Sequence, residues 1–506
     1  MWLNSTGARL AADPATGLPE LGVGVVYSAA LEPLLEDHPG LFDLLEVEPQ
    51  TMWLEKPDRP GEILAPPGVE EHLASLPFRK IVHSIGTPVG GSVPGIEAQL
   101  PLLRQTVQNL GAPWASEHLA FNLTPDFFTG FFLPPRQTAD GLKVYASAID
   151  RLTAELGVPL AFETGVNYLR PRPDEIPDGE FVAELASRTG AGILLDLHNV
   201  YANECNGRQS VAEFLSQIPL DQVWEIHLAG GFELDGFWLD AHSGAMPERL
   251  VAMAREIVPQ LPNLKAIVFE VYASFLPQFG LDGVRAEMER LRELWQLRKP
   301  RATRTLRASD KRHERLRHPT AAGVSVQDWE SVLGELAIGR DSATALGQEL
   351  AADPGVALMR SLIHEFRASM VVGVYRLSCR LMMLALSPNV FRAILEDFWA
   401  HEPPRQYSVS EAEAFMAYLR AKNLRLPQLT KVMEFEKAAM DTILEGKPHL
   451  VRFPADPFPM LNALAQGRLP DIIPQEGDYE IELTPEGPVK VSGVDFDRAL
   501  GTYPFH

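Results

Sequence analysis

The run Leu194–Gly207, LLDLHNVYANECNG, leaves an apolar segment through an aspartate, a histidine and three asparagines, a composition too polar for a core. The signature recurs. His83 closes toward the end of RKIVHS, Glu117 and His118 stand late in PWASEHL, and Glu163 stands late in VPLAFET. Asp196 and His198 follow GILL, His227 stands late in QVWEIHL, Glu270 lies in KAIVFEV, and Asp240 and His242 sit in WLDAHSGAMPE. Alternate residues of an extended segment share a face, so the DAH triplet should direct both of its ionisable side chains the same way. Mixed carboxylate and imidazole ligation suits zinc, iron or manganese. Half-buried without a cation, these ten donors would repel one another and several acids would be forced to protonate. Ten donors exceed what one ion requires, so the set calls for two or three metals, with a carboxylate such as Glu163 as bridge.

Such donors meet only if the fold gathers the segment ends. Eight apolar runs precede or contain them: GVGVVY (22–27), LFDLLEV (41–47), RKIVHS (79–84), PWASEHL (113–119), VPLAFET (158–164), GILLDL (192–197), QVWEIHL (222–228) and KAIVFEV (265–271). Between them lie helical patterns such as IEAQLPLLRQTVQNLG, KVYASAIDRLTAELG, GEFVAELASRTG and PERLVAMAREIVPQL, several closed by the glycine expected after a helix. Strands alternating with helices over about 250 residues predict a parallel (β/α)8 barrel, whose strand C-termini converge on the face where active sites form. An open doubly wound sheet has the same alternation, and spacing does not show closure.

The chain has 506 residues, 46% of them hydrophobic, and a formal charge of -22 from 67 acidic and 45 basic residues. That balance opposes attraction to nucleic acid or anionic membrane. Two cysteines, Cys205 and Cys379, are too few for a disulfide scaffold and point to a reducing compartment, the cytoplasm. The N-terminus lacks a signal peptide's apolar run. Met370–Leu386 is interrupted by Arg376 and Arg380, so no membrane segment is expected. The expected division is a lead-in (1–20), a metal-binding barrel (21–296), a basic linker (297–324) and a mainly helical domain with a small β appendage (325–506). Within the linker, 298–318 carries nine Lys or Arg against two acids; it reads as a solvated connector or as a basic patch for an acidic peptide or nucleic acid. Beyond it come helical patterns, a capping start around Ser410 and Glu411, and a hairpin formed by DYEIELT and GPVKVSG. His38, His72, His364, His401 and His449 read as surface or packing residues and Cys205 as an incidental thiol. Asn199 is expected in or next to the site, with Asn203 and Asn206 shaping loops.

FETGVNYL, GILLDLHNVYANECNG, EIHLAGG, LDAHSGAMPE and FEVYAS, with HSIGTPVGG and SEHLAF, resemble the multinuclear non-haem iron-dependent oxidases that include the enzyme of methanobactin biosynthesis. The resemblance covers about residues 20–296. It implies a barrel with two or three irons, mixed-valent Fe(II)/Fe(III) in the active form, and His83, His118, Glu163, Asp196, His198, His227, Asp240, His242 and Glu270 at the ligand positions. His83, Glu117 and Asn199 are the candidates for a catalytic part. The implied activity is dioxygen-dependent oxidation of a residue, often cysteine, in a ribosomally made precursor peptide. One departure is Ala229-Gly230-Gly231 where many members read AGH, with His198 as the candidate replacement imidazole. The helical half, through VVGVYRLSCRLMMLALSPNVFRAILEDFWAHEPP, FMAYLRAKN and LPQLTKVMEFEKA, resembles the partner proteins that accompany these oxidases as separate chains. A fusion would make a separate partner unnecessary and hold the precursor near the irons. Other chemistries use similar constellations: metal-dependent hydrolysis, as in the trinuclear zinc endonucleases of abasic DNA, sugar isomerisation as in xylose isomerase, or a non-enzymatic metal or peptide carrier.

Overall fold

A computed structural model describes residues 17–489 apart from 57–58, 60, 94–96, 300–322, 471–475 and 486. The lead-in before residue 17, most of the basic stretch and the end of the expected hairpin after 489 lie outside the described residues.

The eight apolar runs form eight strands: β1 (Gly22–Val26), β2 (Leu44–Val47), β3 (Arg79–Ser84), β4 (Ala115–His118), β5 (Leu160–Glu163), β6 (Gly192–Asp196), β7 (Val223–Ala229) and β8 (Ala266–Glu270). Each pairs in parallel with its sequence neighbours, and β1 pairs with both β2 and β8, so the sheet closes. Closure is the feature that spacing left open. Alternate residues then enter the lumen. Leu44, Ile81, Trp114, Ala161, Leu194, Ala266 and Val268 pack with Leu21 and Trp224 as an apolar floor. Two residues further along the same columns stand Glu46, His83, Ser116, Glu163, Asp196 and Glu270, so the lumen turns from apolar to ionisable in one step of the pleat.

Helices Leu100–Leu110, Ala139–Leu156 and Asp178–Thr189 end at Gly111, Gly157 and Gly190, whose φ of 63°, 71° and 70° favours glycine. One connection departs from expectation. After β6 the chain enters helix Leu197–Cys205 directly, because the Asp196 side chain accepts the Asn199 N–H and caps it. Asn203 therefore lies in a helix, from which its side chain reaches the loop after β5.

A second compact unit comprises 331–506 and two excursions from the first half, 52–69 and 122–132. The expected division at the basic stretch did not include these excursions. Ser410 Oγ donates to Glu55 of the first, and close packing ties in the second: a Cβ on Gly130, whose φ is 81°, would sit 2.8 Å from Pro404, and Gly334 approaches Thr124. Helices Pro354–Val374 and Arg376–Leu386 are bent by 109° at Tyr375. The break is held by Glu436, which accepts from Leu377 N, Ser378 N and Ser378 Oγ at the second helix's N-terminus. Among the described residues no single helix is long and apolar enough to cross a membrane. Helix Ser408–Ala421 lacks the expected capping bond. Glu411 is buried instead, pairing with Arg367 at 2.6 Å, since a buried guanidinium demands a carboxylate. The small sheet has three strands: His449–Ala455, unrecognised in the sequence, pairs antiparallel with Glu476–Thr484, which pairs with Gly487–Val489.

The barrel leaves no slack where β1 crosses β2. A Cβ on Gly24 would lie 2.4 Å from the Leu44 carbonyl oxygen. Gly24→Ala should lower barrel stability by about 1–3 kcal/mol, read as an earlier urea midpoint; an unchanged midpoint would show that the strands separate freely.

Candidate metal centre

Three groups of donor atoms, each within 4.8 Å, stand side by side at the strand C-termini: His83, His118 and Glu163; then Glu163, Asp196, His227 and Glu270; then Asp196, Asp240 and His242. Adjacent groups share a carboxylate, Glu163 between the first and middle and Asp196 between the middle and third. His118 Nε2 lies 2.9 Å and His83 Nε2 3.4 Å from Glu163 Oε2. On the other carboxylate oxygen, His227 Nδ1 approaches to 3.7 Å, and it lies 3.2 Å from Glu270 Oε1. His242 Nε2 reaches Asp240 Oδ1 at 2.9 Å and Glu270 Oε2 at 3.3 Å. The DAH pair converges, though through a turn and not an extended segment: His242 has a φ of 45°, a strained conformation that aims its ring inward.

The fit to cations rests on atoms left without hydrogen bonds. Glu163 Oε2, Asp196 Oδ2, His227 Nδ1, His242 Nε2 and Glu270 Oε2 are buried and lack such a partner, although buried polar atoms ordinarily find one. Protons redress the charge in their stead. Burial opposes the charge on Glu163, yet His118, His227 and His83 hold its carboxyl well below the usual range. Burial, Asp240, Glu163 and Glu270 push Asp196 well above it. Against burial, Glu163 and Glu117 hold His118 high, Glu270 and Glu46 do so for His227, and Asp240 and Glu270 bring His242 to about 10. The upward shift of these imidazoles marks the positive charge that the carboxylates demand, a demand that cations would also meet.

The remaining expected residues surround these donors. His198 belongs to none of the three groups: Nδ1 lies 3.2 Å from Asp240 Oδ1 and Nε2 accepts from Trp238 Nε1 at 3.1 Å. Both nitrogens being engaged, it orients Asp240. A Cβ at Gly231 would lie 2.6 Å from His198 Nε2, so the glycine at 231 and the imidazole at 198 occupy complementary space. Glu117 has the opposite strand parity from His118. Its Oε2 accepts from Thr87 N and Oγ1 at 2.9 Å and its Oε1 from His118 N at 2.8 Å, which makes it a brace and leaves it no open oxygen. Asn199 donates its backbone N–H to Asp196, and its side-chain oxygen is buried without a hydrogen bond. Asn203 fixes the loop after β5 by accepting from Asn167 N and donating to Gly165 O, while Asn206 binds both backbone groups of Trp238.

Four residues escaped the sequence reading. Glu46 and Glu225 are fully buried in the lumen beside His227, forming a fourth group with it. Burial raises the Glu48 carboxyl, which faces His83, Glu270, His242 and His118. Tyr272, half exposed, lays its ring 4.5 Å from that of His242. The available signal for Glu46 was LLEV, an acid enclosed by strand-forming apolar residues.

With this geometry established, comparison with known proteins is specific. The family described as RiPP precursor modification enzyme MbnB/TglH/ChrH matches residues 21–296, more than half of the chain. A UPF0276 protein of Streptomyces avermitilis is 29% identical over 229 residues, 43% of this chain and 46% of that protein. A UPF0276 protein of Chromobacterium violaceum is 32% identical over 180 residues, 36% of this chain and 65% of that protein. The chain thus spans less than two thirds of either relative's length. Among solved structures, a xylose isomerase domain containing protein of Salmonella typhimurium has a TM-score of 0.39 at 16% identity, covering 55% of this chain and 99% of that one. A D-psicose 3-epimerase determined in the presence of D-fructose has a TM-score of 0.35 at 12% identity, covering 54% and 97%. Over residues 21–296 the chain belongs to the MbnB/TglH/ChrH family of RiPP precursor modification enzymes.

Proposed function

We propose that the barrel oxidises a side chain, cysteine being the leading choice, in a ribosomally synthesised precursor peptide, using iron and dioxygen. The observation that carries this reading is the row of three donor groups joined through Glu163 and Asp196. The four carboxylates Glu163, Asp196, Asp240 and Glu270 would offset the charge of two divalent ions, and a third ion would add positive charge attractive to an anionic substrate group such as a thiolate. Each group has two donors it does not share, and in the third Asp240 is also engaged by His198. Bound iron would supply dioxygen binding and the one-electron steps of oxidation.

The chain's own residues bind and orient. His83 Nδ1 shares a hydrogen bond of 2.9 Å with Ser116 Oγ, fixing the ring with Nε2 toward Glu163. Glu117 ties His118 to the Thr87 loop. The exposed Tyr272 ring beside His242 offers an apolar face to an entering side chain. The C-terminal unit is proposed to capture the precursor's leader in place of a separate partner. The support is its resemblance to such partners and its sheet, whose edge strand His449–Ala455 presents Leu450 to solvent. Cysteine usage supports a cytoplasmic setting.

The full chain, loaded anaerobically with ferrous iron and mixed with its precursor peptide, should consume dioxygen and change the peptide's mass; turnover with zinc and without oxygen would establish hydrolysis or isomerisation instead. Asp240→Ala should lower iron content and cut product by at least about 100-fold. Normal product would refute ligation there. Ligation needs neutral imidazole, whereas His118, His227 and His242 hold protons in the metal-free pocket. Iron binding should therefore release protons and tighten as pH rises from about 6 to 8. Titration calorimetry in buffers of different ionisation enthalpy measures the release, and none would contradict the donor set.

A further inference from the structure

Two of the buried carboxylates outside the three-group centre meet at His227. Glu46 and Glu225 are both fully buried, and an isolated buried carboxylate costs several kcal/mol, so their partners define their role. Glu225 and His227 share a face of β7, two residues apart. Glu46 reaches them across the lumen from β2, which is not a neighbour of β7 in the sheet. His227 Nε2 shares a hydrogen bond of 3.3 Å with Glu46 Oε2, and lies 3.0 Å from Glu46 Oε1 and 3.7 Å from Glu225 Oε1. Trp114 from the apolar floor donates its indole N–H to Glu225 Oε2 at 3.0 Å. On the opposite edge of the same ring, Nδ1 has no hydrogen-bond partner and faces Glu163 and Glu270.

We propose that Glu46, with Glu225 held beside it by Trp114, keeps the His227 proton on Nε2 and thereby presents the Nδ1 lone pair to the middle donor group. They are positioning residues: they touch neither substrate nor the ion and act through His227. A neutral imidazole carries one N–H, so an acceptor at Nε2 decides which nitrogen can ligate. Carboxylate acceptors do this for metal-bound histidine and raise its basicity. Glu46, Glu225 and His227 also form a compact donor group, but an ion there would compete with the middle group for one imidazole.

This inference rests on the metal-centre reading, and the test separates the two. Full-length wild type, Glu46→Ala, Glu46→Gln, Trp114→Phe and His227→Ala are titrated with cobalt(II) alone, following ions bound per chain, affinity by chelator competition, and visible absorption. Glu46→Ala should weaken one ion by about 10–100-fold and alter its absorption band, leaving the others intact. Glu46→Gln keeps an acceptor oxygen and should restore most of that affinity, a rescue that a purely structural role would not give. Trp114→Phe should produce a smaller loss of the same sign. If His227→Ala loses the ion while Glu46→Ala binds like wild type, the lock is overturned and the centre stands. Full cobalt binding by His227→Ala refutes the middle group itself. A further ion in wild type that both Glu46 variants lose would make this group a cation site and overturn the proposal.

Discussion

Charge confined in a small dry volume organises this barrel. Glu163, Asp196, His227 and Glu270 are all buried within a few ångströms of one another, and the three carboxylates cannot all stay ionised there unless positive charge is supplied. The neighbouring carboxylates favour the charged form of His118, His227 and His242. Cations supply positive charge more completely, because one ion can satisfy several lone pairs that imidazoles leave without hydrogen bonds. The barrel tolerates the arrangement because the destabilising layer sits on a floor of Leu44, Ile81, Trp114, Leu194 and Trp224. That floor is wholly buried, and Trp114 ties it to the layer above by donating to Glu225.

A ring of second contacts turns this crowd of ligands into an ordered site. Ser116 aligns His83, Glu117 with Thr87 aligns His118, and Trp238 with His198 aligns Asp240. Asp196 does two things with one carboxylate: Oδ1 caps the following helix and Oδ2 remains open to the site. Local folding and ligand placement are therefore the same interaction at that residue. This answers why LLDLHN leaves its strand so abruptly: the polar residues begin a helix whose first turn is part of the site.

What could be read from the sequence follows from geometry. Donors at strand ends announce themselves, because an ionisable residue after an apolar run is conspicuous; hence Glu163, Asp196 and Glu270 were legible, as were all eight strands. Glu46 and Glu225 sit inside their runs, where an acid looks like the solvent-facing half of an alternating strand. Only closure of the barrel makes that face interior. Glu117 and His118 are adjacent, so one must point away, and sequence did not say which. The donor set could be named for His198 but not its engagement by Asp240 and Trp238, which depends on a hairpin from elsewhere in the chain. The 52–69 and 122–132 excursions carried no compositional mark, since the first attaches to the second unit through Ser410 and Glu55 and the other through packing around Gly130 and Gly334.

The central claim is that Glu163 and Asp196 bridge neighbouring ions. Crystals grown anaerobically with ferrous iron, measured on both sides of the iron absorption edge, test it directly. The account gives adjacent anomalous peaks in a row, one pair astride Glu163 and another astride Asp196. Peaks elsewhere, or a lumen without iron while these carboxylates stay ordered, would contradict it.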